Sequence, residues 1–264
     1  MEPVKGRYPW RLGSPSYVIP EAILPNVELL AGVVDDVQLL FFESSRASRM
    51  DHAVPVAALA ELARDHDLSY TVHLPTDLCL GHPDRMVREQ GIGEIVRLVE
   101  TLAPLVPQAL DLHLNREPEL GLDEWREHLD QALDLLALRL GEQASLIAVE
   151  NIDYPFGLVA DLVTAHGFSL CLDLGHVLYY QHPWPAAVES APAARHLHLH
   201  GVREGRDHRP LDHDQAGPLV ELGQALLLGG FKGVVTLEVY QYEYLRRSCA
   251  ALAELWRPFA RSST

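Results

Sequence analysis

The chain has 264 residues, 48% of them hydrophobic, a size that fits one large core better than two small domains. Its 21 lysines and arginines are outnumbered by 37 aspartates and glutamates, and the net charge of -16 disfavours broad binding to nucleic-acid backbones. Three scattered cysteines exclude a disulfide framework. No apolar run is long enough to span a membrane, and residues 1–6 contain no signal-peptide core, so we expect a cytoplasmic protein.

Strand and helix patterns alternate along the chain. Residues 1–15 are rich in proline, glycine and arginine and are expected to form an N-terminal arm. Eight short runs predict strands at residues 17–19, 37–42, 70–74, 110–114, 146–150, 169–173, 195–200 and 234–239. Runs with apolar residues at helical spacing separate them, most clearly at residues 122–140. Eight strand–helix units in a chain of this length predict a single (β/α)₈ TIM barrel over residues 1–264.

Strands three to eight each end in a residue type that binds metal ions. In chain order these residues are His73, His113, Glu150, Asp173, His198 and Glu238. Because the C-terminal ends of the strands form the mouth where active sites of this fold lie, we expect the six side chains to converge. Three carboxylates and three imidazoles need a source of positive charge, and one or more divalent ions are the simplest one.

These residues also have purely structural interpretations. His73 could be a hydrogen-bonded strand-end histidine, and His113 could pair with a nearby carboxylate. Glu150 and Glu238 could be neutralised by lysine or arginine. No predicted strand end supplies such a cation, however, and this favours a metal site for the set as a whole.

Strands six and seven carry further histidines. Gly175 allows a sharp turn after strand six that brings His176 over the strand end, although a capped strand end explains this segment equally well. In strand seven, period two places three imidazoles on one face at three depths. His196 is expected deepest, paired with Asp111 or orienting a ligand. His200 is expected at the rim, where it contacts substrate or only solvent.

Two loops follow candidate ligands directly. Asn151 comes after Glu150 and could reach substrate, although the segment it begins is also common turn chemistry. The loop after strand seven contains Asp207 and His208, a pair able to close over a ligand or bind a further metal. A solvated charged turn explains the same loop, and the sequence leaves both interpretations open.

The motifs resemble the xylose isomerase-like barrel superfamily, which contains sugar isomerases and epimerases and the endonuclease IV type of apurinic-site nuclease. The motifs that carry the resemblance are His73-Leu-Pro, Glu150-Asn, Asp173-Leu-Gly-His176, His198, His208-Arg-Pro and Glu238. The resemblance covers nearly the whole chain, from strand one to strand eight. It implies a shared metal core formed by Glu150, Asp173, His198 and Glu238.

Resemblance to the nuclease-type members implies a larger cluster. In that arrangement His73 and His113 would join Glu150 on one metal, and His176 and His208 would hold a third. The family has an aspartate two residues before the loop histidine, and this chain has an arginine there. The resemblance therefore implies two or three ions per chain, and Zn²⁺ or Mn²⁺ suits a histidine-rich set with carboxylates.

Within the superfamily the chain resembles the cobamide-remodelling phosphodiesterases, which hydrolyse the phosphoribosyl linkage in the nucleotide loop of vitamin B12-like corrinoids. Residues 24–27, 34–43, 71–77, 149–156 and 200–208 carry this likeness. It implies a metal-dependent phosphodiesterase with a corrinoid substrate. The residues assigned to catalysis are Glu150, His176 and His208, and those assigned to the substrate are Asn151, His200, Arg203, Arg206 and Arg209. Asp207 would replace the missing aspartate.

Three other functions fit the same sequence. A sugar isomerase or epimerase would hold one metal on the four core ligands and leave His73 and His113 to substrate or scaffold. An endonuclease IV-type enzyme is disfavoured by the net charge of -16. A non-catalytic barrel could bind a metal or a corrinoid for delivery. The number of ions per chain discriminates among them, since two or three favour hydrolysis and one favours isomerisation.

Overall fold

The computed structural model describes residues 1–44 and 54–261 of the chain. In this part eight parallel strands close into a barrel, which confirms the predicted TIM barrel fold. The strands are β1 Arg11–Pro15, β2 Asp36–Leu40, β3 Ser69–His73, β4 Leu110–Leu112, β5 Ile147–Glu150, β6 Ser169–Asp173, β7 His196–Leu199 and, after an inserted hairpin, β10 Val234–Leu237. Strand β1 pairs with both β10 and β2, which closes the barrel.

Helices surround this barrel. They are α1 Ile23–Leu30, α2 Val56–His66, α3 Arg85–Leu102, α4 Leu122–Leu140, α5 Ala160–Ala165, α6 Leu174–Tyr179, α7 Trp184–Ser190, α8 Ala216–Leu228 and α9 Tyr242–Leu255. Helix α4 shows why they pack, because Trp125, Leu129 and Leu136 recur at helical spacing and are fully buried on one face. None of the helices within residues 1–44 and 54–261 has the length and apolar character that crossing a bilayer requires.

The first barrel strand lies earlier than the sequence pattern predicts. Strand β1 occupies Arg11–Pro15, so the predicted strand at 17–19 is wrong, and so is the expected arm at residues 11–15. One residue of this strand, Gly13, is an unusual choice for a strand interior. A Cβ at this position would lie 3.1 Å from Thr236 Oγ1 and 3.2 Å from Asp36 Cβ, so a larger residue would require these neighbours to shift by a few tenths of an ångström.

The barrel interior holds a polar layer below the mouth. His196 Nδ1 lies 2.8 Å from Asp111 Oδ2, and His196 Nε2 lies 2.7 Å from Thr236 Oγ1, which confirms the predicted pairing of His196 with Asp111. Burial raises the pKa of Asp111, but His196 and His198 outweigh it, and the net pKa falls below the ordinary value. Asp111 is therefore an ionised carboxylate whose buried oxygens are satisfied by hydrogen-bond partners, which is the condition for burying such a group in a core.

A two-stranded hairpin extends from the end of β7. Its strands are β8 Gly201–Arg203 and β9 Arg206–Arg209, paired antiparallel. The turn between them has positive φ at both Glu204 (54°) and Gly205 (66°), the backbone that tight hairpins need. The hairpin carries His208 back to the barrel mouth, and His208 itself has a φ of 48°. Such backbone strain in a non-glycine residue is typical of functional sites.

Candidate metal centre

The six predicted strand-end residues converge at the mouth of the barrel. The ligand atoms of these six residues, and of three further histidines, fall into groups whose members lie within 4.8 Å of one another. One group is His73, His113 and Glu150, a second is Glu150, Asp173, His198 and Glu238, and a third is His176, His200 and His208. All but His113 and His208 are buried. The first two groups share one residue, Glu150.

Glu150 stands between the first two groups and presents one oxygen to each. Its Oε2 lies 3.3 Å from His73 Nε2 and 3.1 Å from His113 Nε2. Its Oε1 lies 3.3 Å from His198 Nδ1. A carboxylate with its two oxygens in different ligand sets has the arrangement needed to bridge two ions.

The second group carries three carboxylates around one imidazole. His198 Nδ1 lies 3.4 Å from Glu238 Oε2 and 3.8 Å from Asp173 Oδ2. These two carboxylate oxygens are buried and have no hydrogen-bond partner. Buried oxygens without partners are costly, and a divalent cation would satisfy both of them. The residues present therefore fit a metal ion at this position.

Three histidines orient their rings in the same way. A main-chain carbonyl lies against Nδ1 of each ring: Leu74 O at 2.8 Å from His73, Asn151 O at 3.1 Å from His176 and Glu238 O at 3.0 Å from His208. Because a carbonyl oxygen only accepts, each Nδ1 donates its proton and each neutral ring keeps the Nε2 lone pair for another partner. This arrangement is typical of metal-binding histidines.

The third group differs from the one implied by the sequence. His200 joins His176 and His208, with ring centroids 5.4 Å and 4.2 Å away. Asp207, expected to replace the missing aspartate, has its Oδ2 3.8 Å from His208 Nε2 and lies outside the group. Gly175 makes room for His200, since a Cβ there would lie 2.2 Å from the His200 ring.

His200 has an additional partner compared with the other histidines. Its Nδ1 lies 3.3 Å from Gly201 O and 3.0 Å from the backbone nitrogen of His208, and its Nε2 faces Asp173 Oδ1 at 3.3 Å. His200 is only 1% exposed. The expected position at the rim is therefore wrong, and His200 instead connects the hairpin to Asp173.

Attraction between the buried carboxylates and imidazoles of the site shifts their pKa values. Burial alone would raise the pKa of Glu150, but the imidazoles of His198 and His113 hold it well below its ordinary value. Burial alone would lower the pKa of His73, but the hydrogen bond and the charge of Glu150 raise it to about 9. Glu150 therefore stays ionised, and its charge favours the protonated form of His73. A divalent ion would compete with that proton.

The other predicted substrate residues do not line the central cavity. Asn151 is 2% exposed, and its amide pairs with the backbone of Asp173, donating to the carbonyl at 2.9 Å and accepting the N–H at 2.8 Å. Arg203 lies 3.5 Å from Asp212, and the Arg209 guanidinium donates to Tyr244 at 2.9 Å. Arg206 is exposed on β9. Contact of these arginines with substrate stays a prediction.

The sequence analysis missed three aromatic residues of the cavity. The cavity has a volume of about 140 Å³, and Phe41, Phe42 and Tyr240 line it together with the candidate ligands. The Tyr240 hydroxyl donates to Glu238 Oε1 at 3.1 Å, which leaves Oε2 facing the second group. The only sequence signal was the short distance along the chain, because Tyr240 lies two residues after Glu238 and just beyond the predicted strand.

Residues 31–257 match the family model of the xylose isomerase-like TIM barrel, also called AP endonuclease family 2. The match covers most of the chain, and the protein therefore belongs to this family. No curated protein matches the sequence.

Solved structures share the fold over nearly the whole chain. A D-tagatose 3-epimerase-like protein has 19% identity and a TM-score of 0.77, covering 94% of this chain and 98% of its own. The IOLI protein with a bound zinc atom has 15% identity and a TM-score of 0.73, covering 96% of this chain and 100% of its own. The AP endonuclease, family 2, of Brucella melitensis has 16% identity and a TM-score of 0.67, covering 95% of this chain and 99% of its own.

Proposed function

We propose that this protein is a metal-dependent phosphodiesterase that hydrolyses the nucleotide loop of cobamides and holds two or three divalent ions per chain. The observation that carries the proposal is the position of Glu150, whose two oxygens each face a different set of imidazoles. A one-metal isomerase needs only the group that contains Asp173 and Glu238. It gives no reason for His73 and His113 to turn their Nε2 atoms toward the same glutamate oxygen.

When bound, a pair of divalent ions supplies a nucleophile from water and a positive charge at the leaving oxygen of a phosphodiester. Glu150 together with His73 and His113 would hold one ion, and Glu150 together with Asp173, His198 and Glu238 would hold the other. His176 and His208 face the cavity from α6 and β9 with Nδ1 already donating to a carbonyl. Their Nε2 atoms would hold a third ion when the rings are neutral, and would donate to a phosphoryl oxygen when the rings are protonated. The proposal requires no protein nucleophile.

Zinc is the ion that the donor set supports best. Imidazole nitrogens and carboxylate oxygens are common zinc ligands, and the structurally similar IOLI protein contains a zinc atom. Mn²⁺ suits the carboxylate-rich second group and is the alternative.

A sugar epimerase is the second candidate. The group of Glu150, Asp173, His198 and Glu238 can hold one ion by itself, and a D-tagatose 3-epimerase-like protein shares the fold. In this case His73 and His113 would bind substrate or support the site.

Metal content separates the two candidates. We expect two or three ions per wild-type chain by elemental analysis, and a lower stoichiometry in both His73→Ala and His113→Ala, because each variant removes a ligand of the first group. His66→Ala is the control, since this histidine is exposed at the end of α2. If both cavity variants keep every ion and lose only substrate affinity, the result supports a one-metal epimerase and contradicts the phosphodiesterase.

Substrate turnover tests the remaining part of the proposal. Metal-loaded protein is incubated side by side with a cobamide, an abasic DNA duplex and D-tagatose. We expect release of a nucleoside from the cobamide, because it presents one phosphodiester and needs few cations, and intact DNA, because the chain carries a net charge of -16. Efficient nicking of DNA without corrinoid turnover would contradict the proposed cobamide substrate. Epimerisation of the sugar would contradict it as well.

A further inference from the structure

A continuous series of aromatic rings runs from the candidate metal centre to the surface. The rings of His208 and Tyr240 have centroids 4.9 Å apart. Tyr240 and Phe42 are 6.1 Å apart, and Phe42 and Tyr17 are 5.3 Å apart. The sequence gives no sign of this series, because its members are separated by up to about two hundred residues of chain.

Barrel closure brings these rings together. Tyr240 follows β10, Tyr17 follows β1 and Phe42 follows β2, and β1 lies between β10 and β2 in the barrel. Three neighbouring strands therefore contribute one ring each to the same side of the mouth. Phe42 remains 38% exposed and Tyr17 40% exposed, although both are large aromatic side chains. An exposed aromatic surface that continues a cavity is typical of a ligand-binding site.

The cavity beside these rings is too small for a whole nucleotide-bearing substrate. Its volume is about 140 Å³, whereas pockets for ligands of drug size have roughly 300–1,000 Å³. A phosphodiester group can enter, but the groups on either side of it must lie outside the cavity. Phe42 lines the cavity and packs against Tyr17, and the two rings provide a partly exposed apolar surface for such a group.

We infer that Tyr17, Phe42 and Tyr240 form a subsite for a flat, uncharged heteroaromatic ring carried by the phosphodiester. The inference rests on the proposed function and adds the position of the base. Aromatic side chains bind planar bases through stacking and apolar contact. No lysine or arginine lines the cavity within residues 1–44 and 54–261, so this surface suits a neutral ring and not a second phosphate.

The test compares two ligands that differ only in the ring. Binding of 5,6-dimethylbenzimidazole ribotide and of ribose 5-phosphate to the metal-loaded protein is measured by calorimetry. We expect the ribotide to bind at least about tenfold more tightly to the wild type, the effect expected from one stacked base. Phe42→Ala and Tyr17→Ala should each reduce this ratio several-fold and leave the affinity for ribose 5-phosphate unchanged. Phe42→Trp should restore it.

Leu228→Ala is the control, because this leucine is a 79% exposed apolar residue on α8, away from the mouth. It should change neither affinity. Equal affinities for the two ligands in the wild type would overturn the subsite, as would loss of both affinities together in Phe42→Ala. These outcomes do not depend on turnover. The phosphodiesterase can therefore fail in the activity assay while the ring preference persists, and the reverse is equally possible.

Discussion

At the scale of single residues, Glu150 and Glu238 show how neighbours determine what a carboxylate can do. Both are buried, at 1% and 2% exposure. Glu150 presents both of its oxygens to the metal centre, whereas Glu238 presents only Oε2. The imidazoles of His198 and His113 keep Glu150 ionised. Glu238 receives a hydrogen bond from the Tyr240 hydroxyl, and burial together with Glu238 raises the pKa of Tyr240 well above its ordinary value. Tyr240 therefore remains a donor at any ordinary pH.

Tyr240→Phe should weaken metal binding about 10- to 100-fold, the usual effect of removing a hydrogen bond to a ligand. The reason is that Glu238 Oε1 loses the donor that orients the carboxylate. Affinity is measured by competition with a chromophoric chelator. Tyr179→Phe is the control, because it removes a hydroxyl from α6 without removing the donor to Glu238. Unchanged affinity in Tyr240→Phe would show that Glu238 is oriented by other contacts.

At the scale of secondary-structure elements, the site depends on close approach between α6 and the end of β7. The ring of His200 packs directly on the backbone of Gly175, near the start of α6. The same ring accepts the backbone N–H of His208 in β9. One glycine therefore lets α6, β7 and the hairpin meet around a single imidazole.

Gly175→Ala should displace His200 and destabilise the protein by about 1–3 kcal/mol, the usual cost of overpacking. The cause is the 2.2 Å distance between the added methyl group and the His200 ring. Gly93→Ala is the matched control in α3, where a Cβ meets nothing within 4 Å, and it should stabilise by about 0.5–1 kcal/mol. Urea unfolding measures both. Equal stability of Gly175→Ala and wild type would contradict the packing argument.

Asp36 gives a pH-dependent prediction for strand β2. Burial raises the pKa of Asp36, and hydrogen bonds from Ser69 and Thr71 offset this only in part. A raised pKa in the folded state means that the contribution to stability is complete below the unfolded value of about 3.9 and is lost as pH rises through the folded value. Asp36→Asn should therefore gain stability relative to the wild type as pH rises from 4 to 8.

Urea unfolding at both pH values provides the measurement for Asp36→Asn. The exposed Asp65 supplies the control variant, Asp65→Asn, in α2. Its stability relative to the wild type should change less with pH. If the curves of Asp36→Asn and wild type stay parallel over this range, the buried carboxyl does not titrate as the structure indicates.

At the scale of the whole molecule, part of the negative net charge is concentrated at the candidate metal centre. Carboxylates from separate strands converge at the mouth, and within the described residues the nearest compensating groups are imidazoles. A bound divalent ion adds positive charge where the barrel concentrates negative charge. Metal binding should therefore stabilise the entire fold and not only the cavity.

Chelation should lower the melting temperature, and added Zn²⁺ should restore it. An ion that binds only the folded chain at one hundred times its Kd contributes about 2.7 kcal/mol, which corresponds to several degrees in a chain of this size. In the Glu150→Ala and Asp173→Ala variants, added Zn²⁺ should no longer raise the melting temperature. In His66→Ala the increase should remain. Differential scanning calorimetry with and without chelator measures the effect. A full metal-dependent rise in Glu150→Ala would contradict its assignment as a ligand.

The sequence by itself determined the barrel and the positions of its strand-end candidate ligands. Both follow from local rules, because apolar alternation has period two in a strand and parallel strands present their C-terminal ends at one rim. The tertiary structure decided the rest. Strand β1 has no apolar pattern, and its Gly13 lies close to the side chains of two neighbouring strands only because the barrel closes.

The contacts of His200 and of the aromatic series could also not be predicted from the sequence, because they join separate elements of the fold. The role of His200 follows from its packing on Gly175 and its bond to His208, and these residues come from three different elements. Tyr17 and Phe42 meet Tyr240 only because the barrel closes between β10 and β1. Contacts across a closed barrel join residues far apart in the chain, and local periodicity carries no information about which of them will meet.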